Sequence, residues 1–194
     1  MSTPTIKSAT ASDEAAVIAA VTLAFSTDPV VRWIYPNPQQ YLTAMPLLVK
    51  AVGGKAVTYG SAYYVEGYAG AALWLPPDVH PNEEELSAVI QRTVAERERG
   101  ALPAVAEQRG KYHPTEPHWY LRYIGVEAIH QGQGYGAALM QHALVLCDRD
   151  QTLAYLESSN PRNISLYQRY GFEVMGTIQV GTSPPLFPML RKPR

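Results

Sequence analysis

The chain has 194 residues, 46% hydrophobic and 17% charged, with a formal net charge of −1. That is the size of one domain with a sizeable core, too apolar for disorder, and without the cationic excess of a dedicated nucleic-acid binder. Cys147 is the single cysteine, which excludes an intrachain disulfide and a Cys-based zinc cage. No stretch reaches the roughly 18 apolar residues of a membrane span, so a soluble, cytoplasmic domain is expected.

Ile6 opens a short strand pattern, and Thr10 with Asp13 forms a capping pattern before a helix whose apolar face is Val17, Ala20, Val21 and Ala24. Pro29 and Tyr35-Pro36-Asn37-Pro38 read as breaks. Tyr41, Met45, Leu48, Val49 and Val52 predict a second helix that ends at Gly53-Gly54. Val57, Tyr59, Tyr63, Tyr64 and Val65, then Ala71 to Leu75, suit two or three antiparallel strands. Asn82 caps an acidic-started helix, and residues 100–117 look irregular apart from a short helix near 103–110. His118 to Val126 predicts a strand, the residues after Gly136 a helix, and Leu153 to Leu156 another strand. Asn160, Pro161 and Gly171 bound a helix of 161–170, and Phe172 to Val180 and Leu186 to Leu190 read as closing strands. The sum is a single α/β domain with a mixed, mostly antiparallel sheet.

The most informative stretch is Gln131-Gly132-Gln133-Gly134-Tyr135-Gly136, between a strand and a helix. Glycines at alternate positions leave backbone N–H groups uncovered, and the helix N-terminus adds positive charge, a combination suited to a phosphate or diphosphate. The alternative is a tight turn made for packing. Gly132, Gly134 and Ala137 also satisfy a dinucleotide fingerprint. That reading requires several further βαβ units, and the remaining chain offers one more helix and antiparallel strands. A Walker loop is excluded because no Gly-Lys-Ser or Gly-Lys-Thr occurs.

The same hexapeptide resembles the Q/R-x-x-G-x-G/A motif of the GNAT N-acetyltransferases. Asn163-Ile164-Ser165-Leu166-Tyr167-Gln168-Arg169-Tyr170-Gly171-Phe172 is similar to that family's downstream segment. Trp119 to Gly136, Leu156-Glu157-Ser158 and Met189 to Pro193 further resemble the puromycin N-acetyltransferase-like branch. Ala128 stands where many members carry proline.

The resemblance implies a sheet splayed between two central parallel strands. It implies acetyl-CoA as co-substrate and direct transfer of acetyl to a primary amine of a small molecule; the five histidines show no ligand spacing, so no metal is expected. A peptide or protein acceptor, or a non-catalytic CoA-binding module, are the alternatives. It assigns the cofactor site to Ile124, Gly125, Val126, Gln131, Gly132, Gln133, Gly134, Tyr135, Gly136, Asn163 and Tyr167. Val126 N–H would donate to the thioester oxygen, and Gly125 would mark the bulge that opens the sheet. Asn163 would contact the CoA arm or simply support its helical turn. Tyr167 would be the general acid for the leaving thiolate, unless it is only a core aromatic. For the base, Glu157 ranks first, with His118, Glu127 or a water chain as alternatives. Asp28, Trp33 and Tyr35 fall in the region that lines the acceptor site. A homodimer through the C-terminal strands is compatible with the family.

Overall fold

The computed structural model describes residues 4–194. The chain begins with β1 (Ile6–Ser8) and a single turn of 3-10 helix, held by a reciprocal Thr10–Asp13 capping box. Next come α1 (Glu14–Ala24), α2 (Pro29–Ile34), α3 (Pro38–Gly53) and α4 (Lys55–Thr58). A hairpin of β2 (Ala62–Val65) and β3 (Gly70–Leu75) follows, then α5 (Glu83–Thr93), α6 (Glu96–Arg99) and α7 (Leu102–Tyr112). The second half runs β4 (His118–Val126), α8 (Tyr135–Arg149), β5 (Leu153–Ser158), α9 (Ile164–Arg169), β6 (Glu173–Val174) and β7 (Phe187–Arg191).

The strands form one seven-stranded sheet in the order β1-β2-β3-β4-β5-β7-β6. All neighbours are antiparallel except β4 and β5, which run parallel. Helices cover both faces. Val17, Val21, Met45 and Val49 pack with Leu73 and Tyr155 on one face. Leu139, Met140, Ala143, Leu144 and Cys147 of α8 pack with Trp74, Leu121 and Leu156 on the other. Each large apolar side chain buried this way contributes about 1.5 to 3 kcal/mol. No helix among the described residues is long and apolar enough to cross a membrane.

Several expectations from the sequence need correction. Pro29 begins a helix: it sits at the first position of α2, where its missing N–H costs nothing, and Asp28 caps the turn. Gly53-Gly54 does end α3 as expected, but α4 follows directly and takes Val57 out of the expected strand. A Cβ on Gly53 would lie 2.9 Å from Leu73 Cδ1, so that glycine serves close packing of helix on sheet. The helix expected near 103–110 is present and somewhat longer, as α7. The expected strand of 172–180 shrinks to β6 and one Ile178–Leu186 bridge. The chain leaves β7 at Gly176, against which Tyr112 packs so closely that a Cβ would meet its hydroxyl at 2.5 Å.

The opening of the sheet also differs in cause. Leu121 pairs with Trp74 and Tyr123 with Leu73, so Arg122 is the extra residue of a bulge in β4. Parallel pairing ends at Leu121 and Leu156, directly beside that bulge. Gly125 has another role. A Cβ there would lie 2.5 Å from the Cβ of Ala24, so the glycine lets the end of α1 approach β4.

Candidate active site

Past Leu121 and Leu156 the strands part: β4 continues beside β3, and β5 beside β7. The edge of β4 from Arg122 to Val126 is thereby exposed to a split. Glu127 N–H donates to Ala69 C=O at 2.9 Å, so in the antiparallel alternation Ile124 and Val126 turn their backbone groups away from β3 and into the split. The Val126 carbonyl is met there by Gln131 Nε2 at 3.0 Å. That bond ties the glycine loop to the strand edge and leaves the Val126 N–H open.

The loop is shaped by Gly132 (φ 76°) and Gly134 (φ 83°), both left-handed, with no atom within 4 Å of where a Cβ would stand. Gln133 Nε2 reaches back to Ile129 C=O at 3.4 Å, which folds the side chain away from the turn. Among the described residues no protein acceptor takes the N–H groups of Gly132, Gln133, Gly134, Tyr135, Gly136 or Ala137; the first helical bond runs from Ala138 N–H to Gly134 C=O. A run of unpaired donors at a helix N-terminus is an anion cradle. Gly136 lies near Leu166 and Val126, and Tyr170 donates to Ala137 C=O at 3.0 Å, so α9 is docked onto the start of α8.

Tyr167 on α9 is 5% exposed and packs edge-on against Phe172. Burial and the charge of Asp28 raise its phenol above the ordinary value, against a smaller opposing effect of the neighbouring Asn163 side chain. Its hydroxyl therefore stays protonated through neutral pH. Asn163 is exposed one turn earlier, and Asn160 caps that turn by accepting Arg162 N–H at 3.1 Å.

Glu157 follows the last parallel pair on β5 and is saturated with partners. Arg109 Nε donates to it at 2.8 Å, Tyr120 at 2.8 Å and Tyr155 at 3.1 Å. Burial alone would raise its pKa. The Arg109 charge and hydrogen bond, with Arg122 and Tyr120, outweigh that and hold the carboxyl below its usual range. A carboxylate so stabilised is a weak base. His113, not singled out from the sequence, packs edge-on or tilted against His118, Tyr120 and Tyr155 with centroids 4.7 to 5.2 Å away. Burial and the His118 charge lower its pKa to about 4, so it is neutral at pH 7. His118 contacts Glu116 C=O at 2.8 Å, and Glu127 lies in the glycine-loop region 3.9 Å from His130.

The acceptor-side candidates divide. Asp28 is 8% exposed; it accepts the N–H groups of Val30 and Val31 at 3.0 Å and the hydroxyl of Ser159. Burial raises its pKa despite those bonds. Its oxygens are thus committed to joining α2 to the end of β5. Trp33 remains partly exposed and its Nε1 reaches Thr182 Oγ1 at 3.4 Å. Tyr35 is fully buried, with its hydroxyl on Thr93 at 2.9 Å, so its ring has no surface to offer an acceptor.

Comparison with known proteins agrees with this geometry. Residues 91–174 match the acetyltransferase (GNAT) domain family. An uncharacterised N-acetyltransferase of Schizosaccharomyces pombe is 27% identical over 90% of this chain and 78% of its own length. A Corynebacterium glutamicum structure, described as histone acetyltransferase HPA2 and related acetyltransferase, superposes with a TM-score of 0.71 at 26% identity, covering 100% of this chain and 98% of that one. The chain has the GNAT fold, and residues 91–174 carry the GNAT acetyltransferase domain match. The fold is shared more widely: arylalkylamine N-acetyltransferase 2 of Aedes aegypti has a TM-score of 0.68 at 11% identity, with 100% of each chain covered. The GNAT family implies acetyl-CoA as co-substrate, and the unpaired donor run from Gly132 to Ala137 fits a diphosphate of that molecule.

Proposed function

We propose that this chain is a GNAT N-acetyltransferase that acetylates a primary amine of a small molecule, and that its motif residues place it in the puromycin N-acetyltransferase-like branch. The open donors of Gly132 to Ala137 beside the free edge of β4 carry the reading. Those N–H groups take the diphosphate, and the Ile124 to Val126 edge takes the pantetheine arm as an added strand. Acetyl-CoA supplies an acyl group on a good leaving thiolate.

Val126 N–H is a fixed donor for the oxygen that gains negative charge during attack. Tyr167, kept protonated by burial, donates to the departing sulfur. Glu157, bound by Arg109 and two phenols, positions the floor of the split, and the amine loses its proton to water. A small acceptor is favoured over a peptide because α2 is tied both to the end of β5, through Asp28 and Ser159, and to the loop before β7, through Trp33 and Thr182.

The test is thiol release from acetyl-CoA with a panel of small amines and of peptides. Saturable release with a small amine, and none with peptides, is the expected result. Acetyl-CoA binding without release would mark a binding module, and release with peptides alone would move the acceptor class.

A further inference from the structure

Arg122 is a cation that the fold leaves without a hydrogen-bonded partner: it lies close enough to favour the Glu157 carboxylate through space but does not bind it. It is the extra residue of the β4 bulge and the first residue of β4 past the last parallel pair with β5. Glu157 holds the matching place on β5, so the two side chains flank the start of the split. The Arg122 guanidinium lies over the Tyr120 ring, 4.3 Å from its centroid. Among the described residues it forms no hydrogen bond or ion pair, and its Nε is buried with no partner.

The acids nearby are already taken. Glu157 uses both oxygens on Arg109, Tyr120 and Tyr155. Asp28 is spent on two backbone N–H groups and Ser159. Buried donors without partners are rare in folded proteins; Trp74 and Trp119 Nε1 are two in the core, and at Arg122, which stands at the cleft, an arriving ligand group can supply the partner. A planar guanidinium with an open fork matches a carboxylate in two parallel hydrogen bonds.

We infer that Arg122 binds a carboxylate on the acceptor, so that the acceptor is an amine of the amino-acid class. This rests on the acetyltransferase reading of the split and narrows its substrate. An amine without an acid group leaves Arg122 unpaired and adds a second cation beside it.

The experiment measures thiol release from acetyl-CoA with the proteinogenic amino acids and with the amine left on removing each α-carboxylate. At least one amino acid is expected to exceed its decarboxylated partner in kcat/KM by about tenfold or more, the scale of a charge-assisted bidentate pair. Arg122→Gln is expected to collapse that ratio, mainly through a higher KM for the amino acid, while Arg122→Lys keeps part of it. Melting curves of both variants check that they fold. Three results overturn the inference: no amino acid turned over, decarboxylated amines preferred, or a ratio unchanged by Arg122→Gln. The last would arise if Arg122 acted on the thioester, because both substrates would then slow equally. Calorimetric titration with acetyl-CoA separates the layers: absence of binding would sink the underlying reading, and binding without amino-acid turnover would sink the inference alone.

Discussion

Glu157→Gln removes one charge beside the split and turns one of the two accepting oxygens into an N–H donor, while keeping the shape of the carboxyl. The wild-type carboxylate is buried, with a side chain 7% exposed, and Arg109 is 34% exposed. Breaking a fully buried pair costs about 3 to 5 kcal/mol, and partial exposure of Arg109 scales that to about 2 kcal/mol here. For a domain of this size the melting temperature at pH 7 should fall by about 4 to 8 °C. The pH dependence has a definite sign. The Glu157 carboxyl lies below its usual value of 4.5 in the folded protein, so its stabilisation is fully present above that pH and is lost as pH falls through the folded-state value. The gap between wild type and variant should therefore be constant from pH 7 to about 5 and narrow below that. Thermal melts across this range measure it. The pH–rate profile of the variant should keep its wild-type shape between pH 6 and 9. An unchanged melting temperature would refute the buried ion pair, and loss of the acidic limb of the profile would make Glu157 the base after all.

Other consequences follow from the same geometry. Tyr167→Phe should lower kcat by about 10²-fold, the usual scale for a lost general acid, with the KM for acetyl-CoA within about twofold of wild type. Equal kcat would return Tyr167 to a packing role. Gly134→Ala forces a β-carbon onto a left-handed residue at about 1 to 2 kcal/mol, so calorimetry should show weaker CoA binding and melting a lower Tm. Gly125→Ala pushes against Ala24, and a loss of about 1 to 3 kcal/mol in urea unfolding is expected. An unaltered midpoint would mean that α1 gives way freely.

The cofactor half of the protein was legible because its physics is local. The Gly132-x-Gly134 spacing, the Asn160 cap and the Gly171 stop each act within a few residues, and each stands in the structure as read. The parallel pair and the open sheet followed from the family resemblance carried by those motifs. The acceptor side was less legible because it depends on contacts distant in sequence. Glu157 looked like an available base until the contact that α7, the helix expected near 103–110, makes through Arg109 across 48 residues paired its charge. Tyr35 looked like a loop aromatic until α5 closed over it through Thr93. Arg122 gave no signal at all in the sequence, since an arginine in a strand is ordinary until a bulge leaves its Nε buried without a partner. Pro29 misled because the same residue that breaks a helix interior also begins a helix well.

The most direct test of the cofactor site is amide NMR on 15N-labelled protein titrated with CoA and, separately, with 4′-phosphopantetheine, which lacks the diphosphate. The N–H signals of Gly132 through Ala137 should move strongly with CoA and far less with phosphopantetheine, while Ile124 and Val126 respond to both. If CoA binds and the signals from Gly132 to Ala137 stay in place, the diphosphate lies elsewhere and the account is wrong.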